Sequence, residues 1–146
     1  MKKLLLVMSL SAFLLLDGCK KETTTSVPPA LAQWVGTYNG PYGSSLEQIQ
    51  INYIGNNTLE IIMKVNQFSY LYTATTLKNV TVSGNTATIS EVENIIEETN
   101  YGPYKFNGTL SLGSNGVQLN ATALSVQVPA NENSPMEFTF SGQKVQ

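Results

Sequence analysis

The chain has 146 residues, ten Asp and Glu against eight Lys and Arg, and a formal net charge of −2. That length suits one domain, and the charge balance lacks the clustered positive surface that nucleic acid requires. With no histidine or arginine, one aspartate (Asp17) and one cysteine (Cys19), the chain has no Ser-His or Cys-His nucleophile, no histidine metal ligand and no disulfide of its own. It opens on the basic start Met1, Lys2, Lys3, followed by residues 4–16, which are apolar except for Ser9 and Ser11. Such a run is short for a bilayer span and suits the apolar region of a secretory signal peptide.

Leu16-Asp17-Gly18-Cys19 follows directly. It resembles the lipobox of bacterial lipoproteins, with Leu16 and Gly18 in the expected places and Asp17 where a small or apolar residue is commoner. The resemblance implies diacylglyceryl transfer to the Cys19 sulfur and cleavage before it. Residues 1–18 are then a discarded signal peptide. The alternative is a soluble secreted protein with a free thiol, exposed to oxidation. Residues 19–32, with "KKETTTSVPPA", show no apolar periodicity and read as a polar, proline-stiffened tether.

From Trp34 onward the pattern has a period of two. Ile49, Ile51 and Tyr53 alternate with polar residues, as do Leu59, Ile61, Met63 and Val65, and then Tyr104, Phe106, Leu110 and Leu112. Successive strand side chains point to opposite faces, so each segment has one buried and one wet face. Strands are expected near 35–40, 46–54, 58–65, 70–82, 85–92, 104–112, 117–126 and 136–145. Tight turns are expected at 55–57, 83–85 and 113–116, where Gly and Asn tolerate positive φ. Longer connections are expected near 40–45, 66–69, 93–103 and 127–135. The fold class is therefore all-β: an eight-stranded antiparallel up-and-down meander over 33–146. It either closes into a barrel or remains an open sandwich. The three tight turns share one end with the tether, and the four longer loops share the other.

The "WVGTYNG" stretch at 34–40 resembles the opening strand of calycin proteins, the lipocalins and fatty-acid-binding proteins. There a Gly-x-Trp or Gly-Thr-Trp stretch closes the barrel base; here Tyr38 stands for that tryptophan and Trp34 precedes the glycine. With the lipobox and Thr-rich tether, the chain looks like small lipocalin-like lipoproteins of Bacteroidetes-type bacteria. That resemblance implies a lipid-anchored protein of the outer membrane, facing the periplasm or the exterior, with a small apolar ligand in its barrel. Fatty-acid-binding relatives clamp a carboxylate with arginine, which is missing here. A neutral lipid, a sugar or a protein partner is then the better expectation.

Chemistry would rest on glutamates, and Glu91, Glu93, Glu97 and Glu98 in "EVENIIEE" are the group to inspect. A Glu pair can cleave glycosides and an acidic loop can bind calcium, but the spacing of a calcium loop is missing. A solvated acidic loop explains the segment, so no catalytic residue, metal or cofactor is assigned. The ligand-binding candidates are the aromatics of the loop end: Tyr42, Phe68, Tyr70, Tyr101 and Tyr104. Tyrosine offers a flat apolar face and a polar tip, suited to sugars, apolar molecules or peptides. The competing reading makes these rings a cap on the core. The expectation is thus a non-enzymatic envelope protein attached to the membrane through Cys19, binding a small hydrophobic or carbohydrate ligand or an envelope protein. A structural or assembly lipoprotein is the second reading, and a Glu-dependent hydrolase the third.

Overall fold

The computed structural model describes residues 26–41, 46–67, 70–96, 103–129 and 132–146. A short helix, α1 (Pro29–Ala32), is followed by eight strands: β1 (Gly36–Asn39), β2 (Gln48–Gly55), β3 (Thr58–Gln67), β4 (Tyr70–Ser83), β5 (Thr86–Asn94), β6 (Tyr104–Leu112), β7 (Gly116–Ser125) and β8 (Met136–Lys144). Each strand pairs antiparallel with the next, and β8 returns to β1, so the sheet is a closed barrel rather than a sandwich. Alternation dictates which residues enter it. On β7, Val117, Leu119, Ala121 and Ala123 are buried, while Gln118, Asn120 and Thr122 are exposed. From Gln118 to Thr122 the outward face of β7 is therefore polar. Among the described residues no helix is long and apolar enough to cross a membrane.

Three connections at one end are tight. Asn56 and Asn57 both have positive φ, 50° and 61°, as a type I′ hairpin requires. Gly84, at φ 59°, opens the β4–β5 turn. Residues 113–115 join β6 to β7, closed by Gly113 N–H donating to Gly116 O at 2.9 Å. We call this the base end and the opposite one the loop end. The loop end departs from expectation at one place: β3 and β4 are separated only by residues 68–69, not by a long connection. The ladder continues to Gln67↔Tyr70, so the apolar-polar alternation stopped two residues short of the strand's true end.

The tether also ends earlier than expected. Pro29 begins α1, where a proline costs no helical hydrogen bond, and Leu31 is buried. Leu31 and Trp34 belong to the one hydrophobic core, which draws on all eight strands. The base is sealed by Tyr38, whose hydroxyl is shared between Trp34 O (2.9 Å) and Gln33 O (3.0 Å). Lys144 covers the Tyr38 ring at 5.8 Å and donates to Gln33 O at 3.2 Å. Burial pushes the Tyr38 phenol above its ordinary value. The Trp34 ring nitrogen is buried with no acceptor.

Extra residues bend β4 and β5. Between Leu59↔Val80 and Ile61↔Leu77, β4 spends one residue more than β3, and Asn79 takes φ 59° there. Another extra residue lies between Thr75 and Thr73. On β5 the excess falls between Ile89 and Val92, with Glu91 at φ 51°. Such bulges raise twist and re-aim side chains, and a short barrel needs them to close.

Candidate functional site at the loop end of the barrel

Of the aromatic candidates, Tyr42, Phe68 and Tyr101 lie outside the described residues, as does Cys19. Tyr70 is the first residue of β4 and pairs with Gln67, which places its backbone at the loop end. Tyr104 opens β6 at the same end, paired with Asn94 and Ser125. Its ring is inside, 5% exposed and in phase with Phe106. Tyr104 is therefore a core cap rather than one side of an open aromatic ring. The fold brings Tyr70 and Tyr104 to one end.

The loop end is held by side chains that bond to backbone. The β4–β5 ladder has only three pairs, Thr81↔Thr88 to Ser83↔Thr86. Beyond them Thr75 Oγ1 donates to Ile95 O at 2.9 Å, and the Asn94 amide donates to Thr76 O. Between these ties and the paired stretch is a slot of about 550 Å³, lined by Lys78, Asn79, Glu91 and Glu93 among others. On the far side, Asn133 Nδ2 donates to Ser125 O at 2.6 Å, and Val126 N–H to Pro103 O at 2.9 Å. Short polar side chains thus replace ladder bonds that the bulges have removed.

The acidic group is already engaged. Glu91 Oε1 accepts from Asn107 Nδ2 at 2.7 Å, and its Oε2 lies 3.1 Å from Lys105 Nζ. Asn107 Oδ1 accepts from the Glu91 N–H at 2.9 Å. The Asn107 amide and then the Lys105 ammonium hold the Glu91 carboxyl below the usual carboxylate range. Glu93 stands opposite Lys105 on the same outer face. Among the described residues no three acidic side chains converge on a metal position. Glu97 and Glu98 lie outside them.

Sequence reasoning missed an apolar row on the outer wall. Ile95, Leu124 and Val126 are exposed. The register sets Leu124 opposite Lys105, and the Val126–Pro103 bond sets the next row beside it. The signal was in "ALSVQV": Leu124 and Val126 occupy the outward phase, while the inward positions carry only Ala123 and Ser125. Met136, on β8 opposite Ala123, is also exposed although it shares the inward phase of Phe138 and Phe140. Along β8 the inward side chains emerge step by step, from buried Phe140 through half-buried Phe138 to Met136.

Comparison of the chain with protein-family models, curated proteins and solved structures finds no match.

Proposed function

We propose that this chain is a lipid-anchored lipoprotein of the cell envelope whose barrel engages a partner protein at its loop end. The lipobox resemblance at Cys19 supports the anchor, and the calycin resemblance at "WVGTYNG" fits the barrel. The observation that carries the partner reading is the core. Inward side chains from β1 to β8, from Tyr38 through Ile51, Ile61, Val80, Ile89, Phe106 and Leu119 to Phe140, belong to one buried cluster. A filled barrel with an exposed apolar row on its wall suits protein contact better than carriage of a guest.

A second reading keeps a small apolar or sugar-like ligand, held near Tyr42, Phe68, Tyr70, Tyr101 and Tyr104. It is favoured by the emergence of Met136 from the inward row at the loop end. Native mass spectrometry of the chain isolated from host membranes separates the two. The partner reading expects an apo-mass barrel that co-isolates with one envelope protein. A bound small molecule without any protein adduct overturns it in favour of the ligand. The anchor has its own arm: Cys19→Ser releases the chain from the membrane fraction, and continued membrane association sinks the lipobox reading.

A further inference from the structure

The chain holds three Asn-Gly pairs: Asn39-Gly40, Asn107-Gly108 and Asn115-Gly116. This dipeptide has a chemistry of its own. The glycine nitrogen can attack the side-chain amide of the asparagine before it, and glycine, lacking a Cβ, leaves that nitrogen the least obstructed. Attack needs two freedoms. The side-chain amide must be able to turn, and the peptide joining the pair must be able to rotate.

The fold restrains two of the pairs. Asn107 lies within β6, where its Oδ1 accepts from the Glu91 N–H at 2.9 Å and its Nδ2 donates to Glu91 Oε1 at 2.7 Å. Gly108 pairs with Ile89 on one side and Ala121 on the other. A Cβ on Gly108 would lie 2.2 Å from Asn120 O, so the neighbouring strand presses directly on its backbone. Asn39 ends β1, and its Oδ1 accepts from Gln48 Nε2 at 3.0 Å. The attacking group of that pair, the Gly40 N–H, donates to Glu47 O at 2.8 Å. Asn115 is placed differently. It lies between β6 and β7, exposed beside exposed Gly113 and Ser114. Among the described residues no hydrogen bond engages its side-chain amide. Two backbone bonds hold the turn: Gly113 N–H to Gly116 O at 2.9 Å, and Lys144 N–H to Asn115 O at 3.1 Å. A turn at the end of a hairpin opens at far lower cost than the middle of a ladder.

We infer that Asn115 is a site of spontaneous deamidation, and that its conversion loosens the seam that closes the barrel. The Gly116 nitrogen, its proton lost to hydroxide, attacks Asn115 Cγ. The new N–Cγ bond closes a five-membered succinimide as the Cγ–Nδ2 bond breaks. The side-chain nitrogen takes a proton from water and leaves as ammonia. Water then adds to either ring carbonyl and opens the ring to aspartate or isoaspartate. One water is consumed and one ammonia released, with nothing oxidised or reduced. In isoaspartate the main chain runs through the side-chain carbons, and the carbonyl that held the Lys144 N–H leaves it as a free carboxylate. Among the described residues the β1–β8 seam has two pairs, Tyr38↔Lys144 and Asn39↔Gln143. Releasing Lys144 on the turn side therefore disturbs one of them. The inference rests on neither the anchor nor the partner.

The test starts from the purified full chain, kept folded in mildly alkaline buffer or unfolded in concentrated urea. Fragmentation mass spectrometry reads conversion at residues 39, 107 and 115 separately. In buffer Asn115 should convert at least about tenfold faster than Asn39 and Asn107, whereas in urea the three should convert at similar rates. Asn39 or Asn107 keeping pace with Asn115 in buffer overturns the site. So does an Asn115 that stays intact in buffer while all three convert in urea. The seam is read by amide hydrogen exchange over 141–146, after the isoaspartate form is separated by ion exchange. That form should exchange about tenfold faster there than the unconverted chain, with β2 and β3 unchanged. Asn115→Gln cannot close a five-membered ring, so over the same period it should keep both its mass at 115 and its protection. Equal exchange in the two forms overturns the loosening of the seam. Protection lost equally from Asn115→Gln overturns it too, because the cause then lies elsewhere.

Discussion

Tyr38 gives the sharpest test of how the base is sealed. Its ring is fully buried and its hydroxyl divides one proton between Trp34 O and Gln33 O. Tyr38→Phe keeps the ring and removes the donor. Gln33 O retains Lys144 Nζ, at 3.2 Å, whereas the Trp34 carbonyl loses a buried donor. One lost hydrogen bond plus part of a desolvation penalty comes to about 1–2 kcal/mol. Tyr38→Ala also deletes the ring, for about 3–5 kcal/mol, and the Lys144 contact over its face. At about 4 °C per kcal/mol, melting followed by circular dichroism should fall by about 4–8 °C for Phe and at least 12 °C for Ala. The pH dependence separates the hydroxyl from the ring. The folded phenol's pKa is raised above 10.0 by burial, so the folded state holds its proton more tightly than the unfolded state. Its contribution is complete below pH 10 and is lost as pH rises through the folded pKa. The lead of wild type over Tyr38→Phe should therefore shrink above pH 10. A Phe variant as stable as wild type, or a lead that grows with alkali, refutes the hydroxyl's role. An Ala variant no worse than Phe refutes the ring's.

Glu91→Gln tests the outer-face ladder. The folded carboxyl is held below 4.5, so the lead of wild type is present above that pH and vanishes as pH falls through the folded value. The pair is exposed, so the loss at neutral pH should be at most about 3 °C in a melting scan. Two glycines should fail for different reasons in urea unfolding. A Cβ on Gly116 would lie 2.0 Å from Gly142 O, so Gly116→Ala must push β7 from β8, at about 3 kcal/mol. Gly84 has open space but a φ of 59°, so Gly84→Ala should cost only about 1 kcal/mol of backbone strain.

The strands were legible because one face of nearly every strand is apolar and the other polar. The alternation of Leu59, Ile61 and Met63 survives into the barrel unchanged, as does that of Tyr104 and Phe106. It was least reliable on β4, where two extra residues reset the phase between Thr73 and Val80. No count from Leu77 therefore gives the facing of Tyr70. Tyr104 was readable as core from its own phase with Phe106. The docking of α1 was hidden because a single turn carries one buried leucine and shows no period. The closing register was hidden as well: Asn39 faces Gln143 across the β1–β8 seam, and the chain alone does not state that pairing.

The base and the loop end lie at opposite ends of the barrel, and this sets how far a partner must reach. With Cys19 lipidated as proposed, nine residues lie between it and Pro29. At about 3.1 Å each, the value for an extended proline-rich linker, they span up to about 30 Å. Strands of about nine residues, tilted as in small barrels, add about 23 Å more. The loop end can thus stand about 50 Å from the lipid surface, well beyond a Debye length of about 8 Å. At that distance the charge of the membrane is screened from Glu93 and Glu137. Lys144, at the base, stands about 30 Å from the lipid and is screened as well, so the tether rather than the membrane's field sets which end lies outermost.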